Sequence, residues 1–352
     1  MIDKSYIKQS IKIKIKYLQN ICSMFRFCHS IQLDKNKNYA FIFFAADYNN
    51  LGDLAITYAQ ELFIKKAIKN KIEIIKIPES ETYLWVKKIK KLSINNVLIT
   101  MIGGGNNGSL YEFIEEPRRF VLKSLKNYRI ISFPQTVIFE NTSKALPYRE
   151  EFIRLCEKCN NLTMVAREEM SYLFYKRIKN IKVLLVPDIV FSIQPKLYNF
   201  KRKGIAFIFR NDKEKALDLD LQKKYIEIAK SQFNNIFYWD TCDIKYKDNN
   251  SKDLLDEFLE RLQSIQVAIT DRLHGMIFCY ITHTPCIVFD NNNNKIKSTY
   301  DTWMKNQNFI KMFNPNDNLS IYQSLLNEII TLKDICDNDV NLKFDDLINS
   351  IS

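Results

Sequence analysis

Glycine is scarce in this chain, with seven in 352 residues, about 2% against an average usage of roughly 7%. That scarcity excludes collagen-like, low-complexity and glycine-linker readings. Long apolar runs are lacking as well: the best candidate, 273–289, is interrupted by His274, Gly275, His283 and Pro285 and is too short for a membrane-spanning helix. The opening residues, MIDKSYIKQSIKIKIK, are too regularly charged to hold the apolar core of a secretory signal, so a cytoplasmic address is expected. A cysteine framework is also missing. Cys156 and Cys159 form a lone C-x-x-C in a helical pattern, which fits buried small side chains better than a metal or redox site. Neither a metal nor a cofactor is expected.

What is present is an ordinary globular composition, 46% apolar and 26% charged, at a length suited to about two domains. The net charge is +12, and residues 1–38 carry half of that excess through seven lysines and Arg26 against Asp3 and Asp34. No RNA-binding aromatic motif or helix-turn-helix signal accompanies the charge, so nucleic acid is not an expected partner. Within that segment Ile7, Ile11, Ile15, Leu18, Ile21 and Phe25 recur at helical spacing beside Lys4, Lys8, Lys12 and Lys16. Such a helix either packs on the following domain or makes a peripheral contact with an anionic membrane surface.

From residue 39 onward, strand-like apolar runs alternate with helical patterns, the signature of an α/β parallel sheet. Strands are expected at 39–46, 72–77, 97–102, 129–133, 162–166 and 183–186, and again at 205–209, 235–238, 266–270 and 285–289. The polar stretch 194–203 between the two series reads as a linker. The expected organisation is a basic helical segment (1–38), a first Rossmann-like domain (39–197) and a second one (204–352), the two domains facing each other across a cleft.

Open parallel sheets bind ligands beyond the carboxyl ends of their strands, so polar motifs at those ends are candidates. Gly52 and Asp53 follow the first strand, and Gly103-Gly104-Gly105-Asn106-Asn107-Gly108 follows the third. Four glycines in six residues argue for close approach of a ligand to the main chain, here an anion or a sugar hydroxyl. The run lacks the dinucleotide-binding pattern and the P-loop Lys-Ser/Thr. Gln135, Arg167, Glu168 and Asp188 stand at further strand ends. In the second half, Arg210 ends one strand, and Asp271-Arg272-Leu273-His274-Gly275 ends another. Two arginines at strand ends of one sheet suit a dianion or carboxylate. His274 can move a proton near neutral pH.

Taken in order along residues 39–310, these residues resemble the polysaccharide pyruvyl transferase family, in particular members from bacterial exopolysaccharide and capsule clusters. The stretches that carry the resemblance are Asn50-Leu51-Gly52-Asp53-Leu54-Ala55-Ile56, Gly103-Gly104-Gly105-Asn106, Ser132-Phe133-Pro134-Gln135, Ala166-Arg167-Glu168 and Val186-Pro187-Asp188. Phe209-Arg210, Asp271-Arg272-Leu273-His274-Gly275, Lys297 and Tyr300-Asp301-Thr302-Trp303 follow. The resemblance implies a glycosyltransferase-B-like fold with the active site between the halves. It also implies transfer of the pyruvyl group of phosphoenolpyruvate, a co-substrate, onto two hydroxyls of a sugar as a cyclic ketal, with release of phosphate. In family terms Arg210, Arg272, Leu273 and His274 bind phosphoenolpyruvate, and the glycine-rich loop with Gly104, Gly105 and Asn106 faces the acceptor. Asp53, Gln135, Arg167 and Lys297 complete the implied substrate contacts.

His274 is then the general acid or the group that activates phosphate for departure, and Asp271, Glu168 and Asp188 are alternative bases. A lipid-linked acceptor would bring the enzyme to the inner face of the plasma membrane. Two rival readings remain: a nucleotide-sugar glycosyltransferase of the same plan, and a non-catalytic scaffold of polysaccharide assembly. The first calls for an acidic ribose-binding residue that Asp256, Glu257 and Glu260 do not frame, and the second has no need of Arg210, Arg272 and His274.

Overall fold

The computed structural model describes residues 32–352 apart from 70, 144, 213, 246–249, 333 and 336–339. The amphipathic helix expected over residues 4–25 lies outside the described residues. From Tyr39 the chain runs β1 (Tyr39–Phe43), α1 (Leu51–Ala67), β2 (Glu73–Ile77), α2 (Thr82–Ile89), β3 (Val97–Met101), β4 (Gly104–Gly108) and α3 (Glu112–Ser124). It continues with β5 (Arg129–Ile138), α4 (Ala145–Glu157), β6 (Asn161–Ala166), α5 (Glu169–Tyr175) and β7 (Lys182–Leu185). The second series is β8 (Ile205–Ile208), α6 (Leu219–Lys230), β9 (Ile236–Trp239), α7 (Ser251–Gln263), β10 (Val267–Thr270) and α8 (Leu273–Ile281). Then come β11 (Cys286–Phe289), α9 (Lys295–Thr299), β12 (Ile310–Phe313), α10 (Leu319–Ile330) and α11 (Asp345–Ile351).

Continuous apolar runs such as Tyr-Ala-Phe-Ile-Phe in β1 are buried along their whole length, as strands covered by helices on both faces must be. All the pairings are parallel. The first sheet has the order β2-β1-β3-β5-β6-β7, with β4 also on β5, and the second the order β12-β11-β10-β8-β9. Strand order therefore reverses beside β1 in the first sheet and beside β8 in the second. A crevice opens beyond the carboxyl ends of strands at such switch points.

Two strands escape a reading of the sequence. β4 is the glycine run itself, Gly-Gly-Asn-Asn-Gly, extended along the far half of β5 in register Gly104↔Gln135 and Gly108↔Ile138. Its residue types carry no strand preference, and the pairing is imposed by the neighbouring chain. A methyl group on Gly108 would fall 1.9 Å from the Ile138 carbonyl oxygen, at a φ of +118°. β12 is only four residues long, with Lys311 interrupting its apolar pattern.

The second domain expected at 204–352 ends early. α11 returns to the first domain, where Phe344 just before it packs on Phe63 with ring centroids 5.4 Å apart and tilted by 56°, and the Ser350 carbonyl accepts from Arg129. Lys182 Nζ reaches Ser350 Oγ at 2.7 Å. The apolar stripe of α11, Leu347 and Ile351, is buried there rather than against the second sheet. Cys156 and Cys159 are buried in the first core as free thiols. One apolar cluster runs across both sheets, joining α1 to α7 and Phe191 to Tyr280 at 5.2 Å, which limits how freely the halves move.

Gly108→Ala is expected to lower stability by about 3 kcal/mol, through the carbonyl clash and the left-handed φ together. Denaturant midpoints of the wild type and variant measure it, and an unchanged midpoint would show that β4 is not held as described.

Candidate active site

A cavity of about 230 Å³ lies between the sheets at their carboxyl ends. From the first domain, the Asn50 side chain caps α1 by accepting from the Gly52 and Asp53 amides at 3.0 and 3.4 Å. Asp53 lines the cavity and accepts from the Tyr48 hydroxyl at 2.9 Å. Gly105 and Asn106 line it from β4. Asn106 Oδ1 accepts from Arg118 at 2.7 Å and from Gln135 at 3.2 Å, which fixes the amide with its NH₂ on the opposite side. Gln135 and Gly104 are themselves buried behind this wall and do not line the cavity.

The second domain supplies most of the charge. Arg210, just past β8, binds Asp212 through two parallel hydrogen bonds of 2.8 and 3.1 Å and lies 2.9 Å from Glu214. Arg272, before α8, pairs with Asp240 at 2.7 Å. Asp271 is fully buried and accepts from the Arg210 backbone amide at 2.8 Å. Burial pushes its carboxyl up to about 6 despite Arg210 and Arg272 nearby. Leu273 closes this side of the cavity.

The lysine in the cavity is Lys295, not Lys297. Lys297 is exposed and paired with Asp301 at 2.6 Å, outside the cleft. Residues two apart in a helix face nearly opposite ways, so Lys295 alone turns inward from α9. It joins Glu214, whose other carboxylate oxygen accepts from the Tyr111 hydroxyl of the first domain. Burial works against the Glu214 charge, but Lys295, Arg210 and Tyr111 hold its carboxyl at about 2 against an ordinary 4.5. Glu214 and Tyr111 carry no motif, and the loop after β8 brings Glu214 to Arg210 without a helix between them.

Where the domains meet, His274 Nε2 faces Asp188 Oδ2 at 3.8 Å, a separation longer than a direct hydrogen bond. Asp188, itself fully buried, takes a 2.7 Å hydrogen bond from Arg167. Burial opposes the Asp188 charge, and His274 with Arg167 overrides it, holding this carboxyl well below the usual range. Arg167 also donates to Thr136 at 2.7 Å, and its carbonyl accepts from Trp303 of the second domain at 2.7 Å. Glu168 sits behind, buried and bonded to Thr136 and Ser171, and burial pushes its carboxyl up.

Two glycines here make room for protein rather than ligand. A methyl group at Gly52 would lie 2.2 Å from His274 Nδ1, and one at Gly275 would lie 2.4 Å from Thr270 Oγ1. Gly105 lets Arg167 approach, since a Cβ there would stand 2.9 Å from its guanidinium. Among the described residues, no group of three or more His, Cys, Asp or Glu is placed to hold a metal ion. No helix among them is long and apolar enough to cross a membrane.

The two parallel sheets and the interdomain cleft define a glycosyltransferase-B-like α/β protein. Solved structures with this architecture include one from Klebsiella pneumoniae subsp. pneumoniae, at 20% identity and a TM-score of 0.50 over 89% of this chain and 99% of that one. Another is a structure from Listeria monocytogenes described as a UDP-N-acetylglucosamine 2-epimerase, at 10% identity and a TM-score of 0.52 over 88% and 93% of the two chains. Both likenesses concern the fold. The sequence profile of polysaccharide pyruvyl transferases matches residues 50–293, which include all the residues that line the cleft except Tyr48 and Lys295. The chain belongs to the polysaccharide pyruvyl transferase family. It is 37% identical to General stress protein 30 of Bacillus subtilis over 81% of this chain and 82% of that protein. It is 28% identical to Pyruvyl transferase 1 of Schizosaccharomyces pombe over 73% and 68% of the two chains.

Because Glu214 is held below its ordinary value, its contribution to stability is complete above about pH 4.5 and is lost as pH falls toward 2. Glu214→Gln should therefore flatten the fall of the thermal midpoint across that window, as read by calorimetry at stepped pH. A variant curve parallel to wild type would contradict the ion-pair assignment.

Proposed function

We propose that this protein moves the pyruvyl group of phosphoenolpyruvate onto two hydroxyls of a saccharide, forming a cyclic ketal and releasing phosphate. The observation that carries this reading is the convergence of Arg210, Arg272 and Lys295 on one small cavity with His274 on its wall. Phosphoenolpyruvate presents a carboxylate and a phosphate, which guanidinium and ammonium groups hold by charge-assisted hydrogen bonds. His274 protonates the methylene carbon as the first sugar oxygen bonds to the neighbouring carbon, the enol pair supplying the new C–H bond. The second hydroxyl then displaces the phosphate, and the carbon keeps its carboxylate and new methyl group.

Asp188 orients His274 rather than acting on the sugar, since it is buried behind the imidazole. Glu168 and Asp271 are likewise sealed from the cavity. Asp53 is the cleft carboxylate without an arginine or lysine partner among the described residues, and we assign to it the role of accepting the sugar hydroxyl proton. Backbone and amide groups of Gly105 and Asn106 face the acceptor.

Incubation with phosphoenolpyruvate and bacterial glycans should release phosphate and add the mass of a pyruvate ketal to the acceptor. His274→Ala should lower kcat/KM by about 100-fold or more. Phosphate release that survives this change and Arg272→Ala would remove both residues from the mechanism. Gly52→Ala offers a second check without touching a charged group. Its methyl group displaces the imidazole, and a shift near 1 Å costs on the order of 100-fold in turnover. Wild-type rates in that variant would mean that the position of His274 is unimportant.

A further inference from the structure

The cavity that holds the paired charges is small. At about 230 Å³ it is below the roughly 300–1,000 Å³ typical of small-molecule sites. A saccharide chain must extend beyond it. Next to it, with Glu214 forming a common wall, lies a groove of about 680 Å³. Its floor is the carboxyl end of β5 with Phe139, and its side is α5, where Met170 and Leu173 are 41% and 52% exposed. Phe139 and Phe174 stack there at 5.7 Å. Apolar side chains left open to water beside a charged cleft are the kind of surface on which the C–H faces of sugar rings rest.

The polar groups of the groove differ from those of the cleft. Arg149 from α4 and Arg177 just past α5 both line it, and among the described residues neither guanidinium has a carboxylate at ion-pair distance. The arginines of the cleft, by contrast, each have a carboxylate. Two acids line the groove: Glu140, which accepts from Ser109 at 3.4 Å, and Glu214 of the common wall, which is engaged with Lys295 and Arg210. From the second domain Asn293 contributes an amide oxygen that is buried without a hydrogen-bond donor. Such an oxygen accepts a hydrogen bond from a hydroxyl, and free guanidinium groups donate paired hydrogen bonds to a carboxylate or phosphate.

We propose that this groove is the acceptor subsite and that the acceptor is an acidic saccharide, its rings lying on the Phe139 and Phe174 side and its acid held by Arg149 and Arg177. The proposal rests on reading the cleft as the donor site. It is tested by direct binding, separately from turnover. The probe is an oligosaccharide of alternating glucuronate and N-acetylglucosamine, compared with the same oligosaccharide after its carboxyl groups are reduced to alcohols. Calorimetric titration of the full chain should show the acidic form binding about tenfold tighter than the reduced form. Arg149→Ala with Arg177→Ala should erase that preference. Both side chains reach the surface, and phosphoenolpyruvate titrated into the same variant should bind as in wild type, which also reports that the variant is folded.

Equal binding of the two forms, no binding of either, or a preference that survives the double substitution overturns the proposal. If the preference depends on the arginines while phosphoenolpyruvate fails to bind wild type, the groove still holds an acidic saccharide, and the donor reading falls together with the role of the groove as acceptor subsite.

Discussion

Arg167 and Asp188 form an ion pair of 2.7 Å with almost no water around it, and the site is built on that contact. Removing one partner of such a pair leaves an uncompensated buried charge, at a cost of about 3–5 kcal/mol. The surroundings provide what keeps the pair tolerable: Thr136 on the guanidinium, the Val190 amide on the carboxylate, and the imidazole of His274 reaching in from the other domain. The same arginine holds Trp303 through its backbone. One side chain thus fixes the carboxylate that faces the imidazole, while its own main chain fixes the approach of the second domain.

Around this contact the cations of the cleft are already paired before any ligand arrives. Arg210 is matched by Asp212 and Glu214, Arg272 by Asp240, and Lys295 by Glu214. A guest with a single charge gains little by displacing these partners. One with two anionic groups at fixed separation engages two cations at once, and it draws on geometry already set by the internal carboxylates. Cations paired in advance in this way favour shape and charge number over simple attraction.

Much of this was legible in the sequence. Buried parallel strands announce themselves as apolar runs, and the residues that follow them, from Asn50 to His274, fall at the cleft because parallel topology puts every such loop at one end. The histidine beside an arginine and a glycine stood out through residue type alone. What stayed hidden was set by partners distant in the chain. β4 is a strand because β5 lies beside it, and α11 belongs to the first domain because Phe63 offers it a surface. Lys297 and Lys295 differ by only two positions, so a motif could not tell them apart where four asparagines blur the loop. Side-chain direction around α9 decided between them. Gly52 and Gly275, which the sequence places at strand-to-helix turns, turn out to make room for His274 and Thr270.

The return of α11 has a consequence for how the molecule comes to exist. Because 344–351 complete the core around Phe63, the first domain is discontinuous, and the second is inserted within it. Domains emerging from the ribosome usually fold in the order of synthesis. Here the inserted domain can close while its host still lacks a piece. The half of the molecule made first is therefore finished only after the second, with the α1 surface uncovered until α11 arrives.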